Sequence, residues 1–278
     1  MIKAIEFPNK TFATKQDLFN ELKKNEDKLI SLKKAQIYKS HEKGQISFLN
    51  ADKLKGSDKA GFDAKDGFIY PIISTTKYMD SHKDVHFNNC FTKTVTEQQG
   101  NVCYALDHEL KWDSILAWQK DVKMFVTEID WSLVGKKYEG KTEALIFEIN
   151  KDNIIRKDVL SAIENKVCDF ENSIRMVYHK VFLGVDSKDK DFADNKKYFD
   201  SRIKDIANKE VAIEDGYFWG VEELGISKEG SLVVAGGSND ATSIYIKEIE
   251  ADIITSKNEP IKITQEQIRK QFYLNQLK

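Results

Sequence analysis

The chain has 278 residues with 43 basic and 45 acidic side chains, a formal net charge of −2 and a pI near 6.3. That balance disfavours a nucleic-acid-binding surface spread over the protein. A content of 41% hydrophobic and 11% aromatic residues is enough for a packed core and excludes global disorder. No apolar run approaches the roughly 18 residues of a membrane helix, and the N-terminus has no signal-peptide core. The expectation is a soluble, intracellular protein without a membrane or nucleic-acid partner. Cys90, Cys103 and Cys168 are an odd number without metal-type spacing and read as reduced thiols.

Ile2–Phe7 reads as a short strand. Thr14 followed by Lys15, Gln16 and Asp17 is a capping-box-like start. Leu18, Phe19, Leu22, Leu29 and Leu32 then recur at helical spacing, which predicts one amphipathic helix over about 15–35. Ser40–Asp66 is polar with glycines at 44, 56 and 61, and Gly67 follows, so it reads as a loosely ordered connection. Phe68–Thr75 is rich in β-formers, and Pro71 places it at an edge or a bulge. In Asp80–Phe91, His82 and His86 stand four apart, a spacing that can serve zinc on a helix. No HExxH pattern accompanies them and Asn88–Asn89 favours a loop, so no metal or cofactor is expected. Phe91–Gln99 reads as a short helix.

Val102–Leu110 runs apolar into Asp107–His108. As a strand it would put Tyr104, Leu106, His108 and Leu110 on one face. His108 is then a titratable ring at the edge of an apolar wall. That position suits a general base, because imidazole titrates near neutral pH. It equally suits a strand-end histidine satisfied by one hydrogen bond. Ser114–Trp118 is a second apolar run. Val122–Ile129 and Ala144–Ile149 read as strands, and Asn153–Val167 as a helix. Phe170–Leu183 alternates, with Ser173, Arg175 and Val177 on one face. Asp186–Asp215 is a charged, partly helical excursion. Tyr217–Leu224 and Ser231–Ala235 read as strands separated by Gly225–Gly230, with Gly236–Asn239 as a turn. Ile244–Ile254 reads as a strand and Thr264–Leu277 as a final helix.

Some seven to nine short strands with three or four helices, not regularly interleaved, disfavour a doubly wound parallel sheet. The predicted class is α+β: a mostly antiparallel curved sheet, or a β-barrel, surrounded by helices. The expected organisation is an N-terminal strand, helix and linker over 1–66, a main domain over 67–250 with a charged insertion near 186–215, and a helical tail over 251–278.

Four segments, taken in order, resemble the tailed-phage prohead maturation proteases, serine proteases similar in fold to the herpesvirus assemblins. They are Thr76–Thr94 with Asp80, Asp84 and Cys90–Phe91; Leu106-Asp107-His108; Ser173-Ile174-Arg175-Met176; and Glu229-Gly230-Ser231-Leu232-Val233 followed by Gly237-Ser238-Asn239. Arg175–Met176 stands where the family has Gly-Phe, and one extra residue precedes the Asn239 turn. The resemblance spans roughly 70–248 and implies an assemblin-like fold. It makes Ser173 the nucleophile and His108 its base. It points to Glu229 as the third group, with Asp107, Glu222 and Glu223 as rivals. Arg175 either helps bind an oxyanion or is exposed, and Cys168 is a rival nucleophile. The implied activity is an endopeptidase that cleaves major capsid protein, scaffold segments and its own chain inside the assembling procapsid in the host cytoplasm. Trimming is expected within Ser40–Asp66 or after Asn258. Self-association into a homo-oligomer is left open. The alternatives are a non-catalytic capsid-associated or scaffolding protein on the same fold, and a metal hydrolase using His82, His86 and His108.

Overall fold

A computed structural model of the chain describes residues 1–35, 61–234 and 237–247. Two sheets carry the architecture. In the first, β1 (Phe68–Thr75) lies between β6 (Lys141–Asn150) and the short β9 (Ser243–Tyr245), and β5 (Lys123–Asp130) pairs the far edge of β6. All its pairings are antiparallel. Pro71 stands just before a register slip between β1 and β6 at Ile72–Ser74, which agrees with the expectation of a bulge.

The second sheet is built around β8, which runs unbroken from Tyr217 to Val233. One side of β8 is lined along its length by antiparallel β7 (Glu171–Val185). Its other side takes two short parallel strands in succession. These are β2 (Asp84–His86) against Trp219–Val221 and β3 (Cys103–Leu106) against Glu229–Leu232. Between them the edge of β8 faces α3 (Thr92–Gln98) and the loop before it. There the Ile226 amide donates to Thr94 Oγ1 at 3.0 Å and the Leu224 amide to the Cys90 carbonyl at 3.3 Å. Backbone groups that would otherwise lack a ladder are thus satisfied. β4 (Ile115–Ala117) pairs antiparallel with β3.

The class is α+β with antiparallel and mixed sheets, and the described strands form no closed barrel. β3 and β7 do not pair with each other, because β8 lies between them. The two strands expected over Tyr217–Ala235 are one. Its glycines serve close approach: a Cβ on Gly230 would stand 2.8 Å from the Phe147 ring of β6. The space left by Gly230 lets the two sheets meet, with Ile69, Ile73, Leu145 and Phe147 from one and Tyr104, Ile174 and Leu232 from the other in a common core. Each such side chain contributes roughly 1.5–3 kcal/mol on full burial.

The N-terminal helix is two helices, α1 (Lys15–Lys24) and α2 (Glu26–Ala35). The capping box at Thr14 and Asp17 forms as expected. The break falls at Asn25, whose side-chain amide donates to the Glu21 carbonyl at 2.9 Å and ends α1 there. Leu18, Phe19, Leu22 and Leu29 join the same core as the strands, so residues 1–35 are part of the main unit, Met1–Lys247. Ile2–Phe7 makes only an isolated bridge, Ile2 to Phe12. The helix expected over Asn153–Val167 is confined to α4 (Lys157–Glu164). The charged excursion forms α5 (Ala193–Arg202) and α6 (Lys209–Asp215). The expected tail helix, residues 40–60 of the polar connection, residues 248–254 of the strand expected over Ile244–Ile254 and part of the Gly236–Asn239 turn lie outside the described residues. Among the described residues no helix is long and apolar enough to cross a membrane.

Candidate functional site

Strand β3 ends at Leu106, and the next two residues reverse the chain. Asp107 and His108 have φ of 47° and 59°, and the Glu109 amide donates to the Leu106 carbonyl at 2.8 Å. This is a two-residue turn with both central residues left-handed, a conformation that Asn, Asp and His tolerate better than most side chains. His108 therefore does not continue the alternation of Tyr104 and Leu106, as the strand reading expected. The turn folds its ring back toward β8, and the residue is 2% exposed.

The facing part of β8 is also irregular. Pairing with β7 jumps from Ile174–Gly230 to Met176–Ile226, so Ser227, Lys228 and Glu229 stand opposite Arg175. Lys228 takes φ 70° to make the bulge. Glu229, expected in a turn between strands, is a strand residue directly after this bulge and is fully buried.

Four side chains converge there. His108 Nδ1 lies 2.8 Å from Glu229 Oε1, and Ser231 Oγ donates to Glu229 Oε2 at 2.6 Å. The His108 backbone amide donates to Ser231 Oγ at 3.1 Å, which ties the turn to the same hydroxyl. Arg175 Nη2 donates to the His108 carbonyl at 2.7 Å, and its Nε lies 3.2 Å from Glu229 Oε1. A buried carboxylate needs such compensation, because an unpaired charge there is costly. An ionised carboxylate only accepts, so Nδ1 carries the proton and Nε2 keeps its lone pair. That is the tautomer a general base requires.

Ser173 is the register partner of Ser231 across the β7–β8 pair, so the two side chains share a face about 5 Å apart between Cα atoms. Ala105 of β3 partners Ser231 from the other side. Ser173 is thus two strands from β3, with Ser231 between, and is 6% exposed. The rivals for the third group are engaged elsewhere. Glu222 holds Arg202 and Tyr198, both at 2.7 Å, and Glu223 holds Lys93 at 3.0 Å and Lys180 at 2.5 Å. Asp107 is exposed. Arg175 is not exposed, contrary to one of its two expected readings: Nη2 clamps the His108 turn and Nε sits against Glu229.

Burial raises Cys168, with Asp169 adding to it, and pushes Cys103 up to about 11, with Glu229 adding to it. A thiol held protonated reacts slowly. His82 and His86 do not form a metal group: His86 is a buried β2 residue whose Nδ1 meets Ser74 Oγ at 3.3 Å, and no cluster suited to a metal occurs among the described residues. Of the first resembling segment, Asp84 is the first residue of β2 and Asp80 accepts from its amide, roughly 30 Å along β8 from Glu229.

Sequence reasoning missed Ser231 and the clamp role of Arg175. Ser231 was readable in principle: Glu229 and Ser231 are two apart and must share a face once the segment is seen as strand. No family model, curated protein or solved structure matches this chain.

Proposed function

We propose that the protein is a serine endopeptidase of the prohead-maturation type, with an assemblin-like core, acting on capsid and scaffold polypeptides during head assembly. The observation that carries this reading is the buried His108 Nδ1 to Glu229 contact of 2.8 Å, with Ser173 on the same sheet face. In the proposed reaction His108 Nε2 takes the Ser173 proton as Oγ bonds to the scissile carbonyl carbon. The imidazolium, held by Glu229, then gives that proton to the leaving amine as the C–N bond breaks. Water hydrolyses the acyl-enzyme by the same base. Arg175 and Ser231 are positioning residues: they hold the His108 turn and the Glu229 carboxylate.

A second reading keeps the fold without the reaction. His108 and Glu229 are 2% and 0% exposed, and Nε2 is buried. Such closure suits a strut inside a capsid-associated or scaffolding protein. The test is co-expression of wild type and Ser173→Ala with the neighbouring capsid protein, together with fluorophosphonate labelling of the purified chain. Fragments and a Ser173 adduct in the wild type, both lost in the variant, support the protease. A folded wild type that neither cuts nor labels leaves the strut.

A further inference from the structure

Beside the His108 turn lies a cavity of about 760 Å³ that the triad does not use. No side chain of the site lines it, but its walls come from the neighbours of the site in sequence and register. Cys103 is the register partner of Glu229, and Lys228 is the bulge residue before it. Leu110, Lys111 and Trp112 follow His108 by two to four residues and form the opposite side. Trp118 completes a pair with Trp112, their ring centroids 5.4 Å apart at 55°.

Folding does not account for this surface. Trp112 is 82% exposed and Leu110 is 42% exposed, so two apolar side chains of the cavity lining are left in water. Such patches mark binding sites more often than chance. The walls narrow the occupant. Two indole faces favour a third ring, stacked or edge-on. Lys228 and Lys111 line the same space, the Lys111 ammonium pairing with Glu109 Oε2 at 3.0 Å, and, among the described residues, no carboxylate belongs to the lining. Ammonium groups are attracted to an aromatic face. The volume lies in the range of ligand clefts, about 300–1,000 Å³. It has room for a ring together with the backbone that carries it.

We propose that this cavity is the recognition site for an aromatic side chain of a polypeptide. Resting on the protease reading, that polypeptide is the substrate, and Trp112 and Trp118 are its specificity-determining residues.

The test uses full-length Ser173→Ala protein labelled with 5-fluorotryptophan, which reports its four tryptophans by fluorine resonance. N-acetyl-phenylalaninamide is the probe and N-acetyl-glycinamide the control. The expected result is a saturable shift of the Trp112 and Trp118 resonances, with Trp131 and Trp219 unmoved, and no response to the control. Trp112→Ala should weaken binding roughly tenfold while leaving the two buried resonances in place. No shift up to the solubility of the probe, or an equal shift with the control, overturns the proposal. Binding without any cleavage by the wild type keeps the aromatic site and removes the protease reading. Cleavage by the wild type with equal kcat/KM for peptides bearing Phe or Gly removes the aromatic site and keeps the protease.

Discussion

A buried histidine lies beside a buried carboxylate near each end of strand β8, and the two neighbourhoods differ in what the carboxylate does. At the β2 end, Asp84 accepts from Lys33 Nζ at 2.5 Å and from Tyr178 OH at 2.8 Å. His86, two residues away, turns to Ser74 Oγ at 3.3 Å and packs edge-on against Phe91 and Tyr178. At the β3 end, Glu229 meets the imidazole itself, although 121 positions separate it from His108. Only this second pair joins imidazole to carboxylate, and the sequence and register neighbours of its two residues, Leu110, Lys228 and Cys103, line a cavity. Closeness in sequence produced a structural knot, while the distant pair has the geometry of a base and its orienter. A buried ion pair by itself is therefore no sign of a site.

The sharpest way to break this comparison is activity. On the proposed protease reading, Ser173→Ala and His108→Ala should each lower cleavage on the order of a millionfold, and the double variant should be no worse, as for two groups acting as a unit. His86→Gln should leave the cleavage rate per folded molecule unchanged. Fragment yield from the co-expressed capsid protein measures all four, and equal damage from His86→Gln would erase the distinction between the ends.

Stability should show the reverse ranking. Asp84→Ala removes the carboxylate paired with the Lys33 ammonium, whose side chain is 8% exposed, at a cost of about 3–5 kcal/mol. Glu229→Gln keeps an acceptor for Nδ1 but takes the counter-charge from Arg175 Nε, and should cost about 1.5–3 kcal/mol. Urea unfolding midpoints read both. A Glu229→Gln protein less stable than Asp84→Ala would make the His108 end the main structural tie.

What the sequence made legible follows the same division. Local chemistry could be read directly: Phe68–Thr75 is β1 to the residue, and Thr14 with Asp17 caps α1. The failures are long-range. Gly225 and Gly230 signal a break by composition, yet Gly225 makes room for His179 and Gly230 for Phe147, contacts that no local pattern reveals. Reading β8 as two pieces then removed the strand that separates β3 from β7. Glu229 consequently appeared as a turn residue. His108 and Glu229 were paired through the family resemblance alone, because the turn at Asp107 and the bulge at Lys228 that bring them together depend on tertiary packing.

A third contrast is in pH. Burial, reinforced by the Asp84 charge, pushes Asp80 up to about 7 from an ordinary 3.8. The folded state then binds more protons than the unfolded one across that window, so stability falls as pH rises through it. Burial lowers His86 to about 4 from 6.5. Here the unfolded state binds more protons, so stability is lost as pH falls from 6.5 toward 4. Each amounts to about 3–4 kcal/mol over its window, and the opposed slopes largely cancel in the wild type. Asp80→Asn should expose the His86 slope, with urea midpoints dropping on acidification. His86→Gln should expose the opposite slope, with midpoints dropping as pH rises toward neutrality. Profiles parallel to the wild type in both variants would show that this cluster does not govern the acid response.

The smallest effect concerns the turn that distinguishes the β3 end. Asp107 is exposed at φ 47°, where glycine is free of the Cβ penalty. Asp107→Gly should therefore stabilise the protein slightly, by about 0.5 kcal/mol, or one to two degrees in Tm. His108→Gly relieves the same kind of backbone strain at φ 59°, but it removes the Nδ1 donor from a fully buried Glu229. The lost hydrogen bond to a charged group costs about 1.5–3 kcal/mol, more than the relief. The two substitutions, one position apart, should thus move Tm in opposite directions. Cleavage should survive the first, because Asp107 shapes the turn without touching Glu229, and be abolished by the second. Calorimetry and the capsid-fragment assay on the pair separate the strain of the turn from the contact it holds. A destabilising Asp107→Gly would mean that the aspartate side chain, and not its backbone tolerance alone, sets the His108 conformation.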